Sequence, residues 1–201
     1  MKTGFYSNDF FYNLDAKGPL SDFAVTPDIF ENAVRERDYS ETRNIHLQLC
    51  WGEYLKETLF PIVFHPSNYC GNNFKDVLSL RYGTFVFLIS DRFRSVLEAN
   101  EVSGWKSYPV VIYGKKGERI LGYSGFSIIG RGGAIEGSHN PEWSMLSKQP
   151  LRYNPSQWDG SDIFRIYPAF LMITKRVKNL LVDAGITGVE YTPISDRMIL
   201  I

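Results

Sequence analysis

Four residues in one stretch have the chemistry to hold a metal or act as nucleophiles: His46, Cys50, His65 and Cys70. Two thiolates and two imidazoles are a permissible zinc set. Their order, His-x3-Cys followed by His-x4-Cys, is not a standard ligand pattern. The commoner reading is two small buried thiols and two partly exposed histidines, and no metal is assigned. Either cysteine would need a lowered pKa, from a nearby histidine or a helix N-terminus, to attack a substrate. Spacing alone does not supply that contact, and no cysteine-protease signature surrounds either thiol. An enzyme or small-ligand site using Cys70, His65 or His139 stays open as the alternative function.

Gly130-Arg131-Gly132-Gly133 follows a strand-like run and invites comparison with a phosphate loop. No Lys-Ser/Thr follows it and no helix opens there, so a glycine-rich turn is the simpler reading. In the functional version Arg131 grips an anion. Asp159 and Asp162 flank Gly160-Ser161, a spacing that suits turn chemistry better than acid–base catalysis. His139 lies in a Ser-His-Asn-Pro stretch without a visible partner. Trp143 and Trp158 are either core plugs or interface anchors, since tryptophan is enriched in both. No catalytic residue and no cofactor are assigned.

Composition bounds the function. The 201 residues balance 22 Lys plus Arg against 22 Asp plus Glu, for a formal net charge of zero. That lacks the basic footprint of a nucleic-acid binder. No apolar run approaches the ~20 residues that span a bilayer. The start, Met1-Lys2-Thr3-Gly4-Phe5, lacks the apolar core of a signal peptide. Only two cysteines occur, which is no disulfide framework and favours a reducing, cytoplasmic compartment. Aromatics reach 15%, enough to fill a core and furnish interface centres.

The elements that would position these residues follow from pattern. Phe10–Leu14 reads as a short strand. Thr26-Pro27-Asp28 reads as a helix start, with the helix running to about Arg37. Asn44–Trp51 alternates, placing Ile45, Leu47, Leu49 and Trp51 on one face and His46, Gln48 and Cys50 on the other, as a half-buried strand does. Leu59–Phe64 reads as a strand, an edge one because of Pro61. Residues 66–73 read as a loop, Gly122–Ile129 as a strand, and 130–161 as a long irregular segment with a helical patch near Trp143–Ser147. Loops of that length are often functional.

Two stretches share one grammar. Phe85–Ile89 is a β-rich run, Ser90 a helix cap, Phe93, Val96 and Leu97 one helical face, and Ser103-Gly104 the break before a strand over Trp105–Tyr113. Phe170–Ile173, Thr174, the helix to Ala184, Thr187-Gly188 and a strand over Val189–Ile194 repeat it. Without a gap, Ile89 matches Ile173, Arg92 matches Arg176, Leu97 matches Leu181, Gly104 matches Gly188 and Pro109 matches Pro193. The expected fold is α+β: a mostly antiparallel sheet carrying helices, built from two similar strand–helix–strand units. A single domain over 1–201 is expected, with a possible N-terminal lobe over 1–80 and a second region over 81–201.

Ser90-Asp91-Arg92-Phe93 through Gly104-Trp105-Lys106, Tyr123 to Gly130, Trp158-Asp159-Gly160-Ser161-Asp162-Ile163-Phe164-Arg165, and Ala184-Gly185-Ile186-Thr187-Gly188-Val189-Glu190-Tyr191 carry a resemblance. Together they resemble a diverse bacterial family whose members are mostly immunity proteins of polymorphic-toxin systems. The likeness covers roughly the C-terminal 120 residues, a domain-sized stretch. Its motifs are caps, glycine breaks and strand starts, which speak to fold before role. The paired CxxC motifs of some related families are missing from this sequence. The resemblance implies a cytoplasmic, non-catalytic inhibitor whose partner is a cognate toxin; the balanced charge and the short apolar runs lead to the expectation that neither nucleic acid nor membrane is a partner. The residues expected to touch that partner lie in the 130–160 segment: Arg131, Glu136, His139, Trp143, Trp158 and Asp159.

Overall fold

The computed structural model describes residues 10–17, 21–28, 45, 48–49, 52–68, 70–79, 87–135, 151–167, 170–196 and 198–200. From the N-terminus the strands are β1 (Phe11–Ala16), β2 (Val25–Pro27), β3 (Ile62–Pro66), β4 (Val77–Ser79) and β5 (Phe87–Ser90). Helix α1 (Asp91–Ala99) follows, then β6 (Trp105–Tyr108), β7 (Val110–Tyr113), β8 (Arg119–Ile120), β9 (Tyr123–Ile128) and β10 (Gly130–Ala134). The remainder holds β11 (Leu151–Tyr153), β12 (Ile163–Tyr167), β13 (Phe170–Thr174), helix α2 (Lys175–Asp183), β14 (Val189–Pro193) and β15 (Met198–Leu200).

These strands form a five-stranded sheet in the order β10-β12-β13-β1-β14 and a four-stranded sheet in the order β4-β5-β9-β6. A second four-stranded sheet runs β2-β3-β7-β8, and β11 pairs with β15. The β10–β12, β3–β7 and β11–β15 pairs are parallel, and the other described pairs are antiparallel. The architecture is α+β and rich in antiparallel sheet. Strands from residues 1–80 pair with strands from 81–201: β1 lies between β13 and β14, and β3 pairs with β7.

The two helices form where capping and apolar spacing agree. The Ser90 hydroxyl accepts the Phe93 N–H at 3.1 Å, and the Thr174 hydroxyl accepts the Val177 N–H at 3.5 Å. Each cap satisfies one of the amides that a helix start leaves without a partner. Phe93 and Leu97 on α1, and Val177 and Leu181 on α2, are buried one turn apart. They meet Leu14, Ile89, Phe126, Ile163, Leu171 and Ile173 in one core. A second core gathers Phe23, Val25, Leu49, Ile62, Phe64, Leu88 and Ile112. A third holds Phe11, Tyr153, Phe164, Ile166, Met172 and Ile194.

Several expectations need correction. β5 and β6 belong to one sheet and β13 and β14 to another, so the two helices share a core without sharing a sheet. Ile45, Gln48 and Leu49 are helical, not a strand. Ile45 and Leu49 stand one turn apart and both join the second core, a spacing that the alternating pattern also contained. Thr26 and Pro27 lie in β2, and the Thr26 hydroxyl bonds to that of Ser67 at 2.8 Å instead of capping a helix. The first helical residue there is Asp28, and the rest of the expected helix lies outside the described residues.

Pro61 sits just before β3, after a cis Phe60–Pro61 bond, so it removes no ladder donor. β3 is accordingly a central strand, flanked by β2 and β7, not an edge. The long strand expected over Trp105–Tyr113 divides at Pro109 into β6 and β7, which enter different sheets. The described parts of segment 130–161 are less irregular than their composition suggests, since they contain β10, β11 and a 3-10 turn at Pro155–Gln157; the helical patch expected near Trp143–Ser147 lies outside the described residues.

Candidate functional site

β10 is one of the two edge strands of the five-stranded sheet, and its glycines follow from how closely it packs on β12. A Cβ on Gly132 would come within 2.6 Å of the Phe164 ring and 3.0 Å of Ile166. Only a residue without a side chain lets this strand lie flush against β12. The ladder has an irregularity between Arg131 and Ala134, which leaves Gly132 and Gly133 out of register. The turn at 155–159 braces the outer side. Asp159 accepts the Arg131 N–H at 2.8 Å, and Gln157 accepts the Ala134 N–H at 2.9 Å.

The parallel pairing puts Arg131 opposite Arg165 in register. Neighbouring strands lie about 4.8 Å apart, so two guanidinium stems rise side by side. Both arginines line an open cleft of about 870 Å³ with Glu53, Tyr54, Ile129 and Tyr167. Arg165 has a side chain only 16% exposed, and its Nη2 meets Glu53 Oε1 at 3.3 Å. Burial pulls the Arg165 pKa below the ordinary arginine value, and the Glu53 carboxylate opposes that fall. Arg131 is exposed. Lys106 lies outside this lining, with its Nζ 4.9 Å over the ring of the lining residue Tyr54. Ile129 and Tyr167 are each 44% exposed, an apolar pair on the rim.

Of the six expected contact residues, Arg131 lines the cleft. Asp159 lies just outside it, with its two oxygens on the backbone N–H groups of Arg131 and Ser161. Burial raises the Asp159 pKa, but these hydrogen bonds more than offset it and hold the carboxyl below its usual value. Trp158 is half-buried against Phe11 at 5.0 Å, Phe164 at 5.6 Å and Phe10 at 5.9 Å between ring centres. Its indole N–H donates to the Ser161 carbonyl at 2.8 Å. Glu136, His139 and Trp143 lie outside the described residues.

The residues of the alternative site take separate roles. Cys70 is buried in the second core. His65 Nε2 meets Asp28 at 2.9 Å and stacks on Tyr113 with ring centres 5.2 Å apart. The side chains of His46 and Cys50 lie outside the described residues. Among the described residues no three of His, Cys, Asp and Glu gather around a common point. No described helix is long and apolar enough to cross a membrane.

Glu53, Tyr54, Arg165 and Tyr167 were not singled out by sequence reasoning. One signal was there for Arg165: a charged residue within Ile163-Phe164-Arg165-Ile166, where the three apolar neighbours are buried. A charge inside such a run needs a partner or a task. A scan against protein-family models finds no match for this chain, and no curated protein matches it.

Proposed function

We propose that the chain is a non-catalytic inhibitor that binds a toxin protein and neutralises it in the cytoplasm of the cell that makes both. One observation carries the reading: the cleft face combines paired arginines with tyrosines and an exposed rim of Ile129 and Tyr167. Arginine and aromatic residues are the types enriched at protein interfaces and dominant at their centres. The resemblance of the segments around Ser90, Tyr123, Trp158 and Ala184 to immunity proteins points the same way. Binding of this kind needs a shaped, charged surface and no reacting group.

The chain is tested by expressing toxic products of neighbouring genes with and without it, and following growth. Growth restored by this chain against one such product supports the reading. Growth never restored against any of them removes it.

We also propose that the strand–helix–strand segments of α1 and α2 are copies of one unit. Both helices have nine residues and a hydroxyl cap. Asp76 pairs with Arg92 and Thr187, while Asp162 pairs with Arg176 and Ser103, so each segment supplies the hydroxyl that the other segment's aspartate receives. Strand registers support it too: Val77 faces Ile89 as Ile163 faces Ile173, and Phe126 faces Ser107 as Leu14 faces Tyr191. In this reading β1, from the start of the chain, takes in one unit the place that β9 takes in the other.

A further inference from the structure

We infer that the cleft seats an extended acidic segment of the partner protein, with one carboxylate set against Arg131 beside Arg165. The inference rests on the protein-binding reading above and adds the chemistry of what is bound. Like charges directly opposite in a sheet are unfavourable. Arg131 and Arg165 nonetheless stand in register on β10 and β12, with Glu53 meeting Arg165. Lys106 over Tyr54 adds further positive charge. Against these, the described residues of the cleft lining offer one carboxylate, that of Glu53, and Asp159 beside it is committed to backbone N–H groups. A carboxylate from outside would complement this face, because a guanidinium binds one through two parallel hydrogen bonds.

The occupant is a peptide segment and not a small free anion. A free carboxylate would cover the arginines and leave Ile129 and Tyr167, each 44% exposed, as they are. A chain that continues past its acidic residue can lay an apolar side chain on that rim. The cleft, at about 870 Å³, is also far larger than one carboxylate requires.

The test uses the full chain, labelled with ¹⁵N, and NMR titration at millimolar peptide. The probes are acetyl-Ala-Glu-Leu-Glu-Phe-amide, its glutamine counterpart, and sodium glutarate as a free dicarboxylate. The expected result is saturable movement of the amide signals of β10, with the acidic peptide about tenfold tighter than the glutamine peptide. Arg131→Gln removes that preference, and Tyr167→Ala weakens both peptides. Superposable spectra of the unliganded variants establish that each is folded. Equal binding of the two peptides, or a preference that survives Arg131→Gln, overturns the inference. Glutarate binding as tightly as the acidic peptide overturns the peptide occupant and reassigns the face to a free anion. Failure here with growth still restored removes the acidic segment and keeps the inhibitor. Peptide binding without growth restored removes the inhibitor and keeps the cleft.

Discussion

Arg131 and Arg165 are register partners on adjacent parallel strands, and both open into the same cleft. A fold selected for stability alone gains nothing from this pairing. Replacing Arg131 by Gln is therefore expected to stabilise the protein slightly, by about 0.2–1 kcal/mol. The same change is expected to weaken binding at the cleft. Urea unfolding at low salt measures the first effect, and added salt should shrink it by screening the repulsion. A variant less stable than the parent would show that Arg131 holds the sheet edge together.

Asp76 lies at a junction of another kind. Its Oδ2 accepts both the N–H and the hydroxyl of Thr187 at 2.8 Å each, across 111 positions of chain. Oδ1 accepts from Ser90 at 2.8 Å and from Arg92 Nε at 3.1 Å. The carboxylate is thus the common acceptor for the start of α1 and the loop after α2. Asp76→Asn keeps the shape but removes the charge and half the acceptor capacity. It is expected to cost about 2 kcal/mol in equilibrium unfolding, and Asp162→Asn no more than that. A cost within experimental error for Asp76→Asn would mean that water replaces these bonds.

The same group sets the acid response. Burial pushes the Asp76 pKa up, but bonds from Arg92, Thr187 and Ser90 outweigh it and hold the group at about 2, below its ordinary 3.8. Between those values the unfolded chain binds the proton and the folded one does not. Stability from Asp76 is therefore full above pH 3.8 and lost as pH falls through about 2. Asp162 is lowered as well, by Arg176 and Ser103 acting against its burial, and contributes in the same direction. Unfolding free energies taken between pH 5 and 2 should fall less steeply in Asp76→Asn than in the parent.

Gly104 has a φ of 88°, and a Cβ there would run into the Ile163 carbonyl oxygen. Gly188 has a φ of 83° and more room, with Lys75 Cβ at 2.9 Å and the Val77 oxygen at 3.0 Å. Gly104→Ala should cost about 3 kcal/mol and Gly188→Ala about 1–2 kcal/mol, by thermal or urea unfolding. Equal small costs would show that β6 and β12 can part to admit a methyl group.

Trp158 closes the third core against Phe11, Phe164 and Phe10. Trp158→Ala is expected to destabilise by about 3 kcal/mol. Loss of partner binding in this variant would track loss of folded protein, which circular dichroism on the same sample separates from a contact effect.

The sequence makes α1 and α2 legible because two independent signals agree at each start: a hydroxyl cap and buried residues one turn apart, Phe93 with Leu97 and Val177 with Leu181. At Ile45–Leu49 the signals conflict. Alternation and helical spacing coexist in those five residues, and packing of Ile45 and Leu49 into the second core decides for the helix. β10 is hidden because Gly130, Gly132 and Gly133 have no side chains to show a strand period, and its partner β12 is some thirty residues away, a separation typical of a parallel crossover. The cleft is hidden for a similar reason. Arg131 stands out beside its glycines, but Glu53, Arg165 and Tyr167 come from separate stretches, and only the register of β10 with β12 brings the two arginines together.

The most direct measurement is an affinity pull-down of the tagged full-length chain with neighbouring gene products co-expressed, run in parallel with Arg131→Gln and Tyr167→Ala. The expected result is one stoichiometric partner, toxic when expressed alone, retained by the parent and depleted by both cleft variants. A chain that retains no protein, or a toxic partner held equally by the parent and both variants, would contradict an inhibitor that works through this cleft.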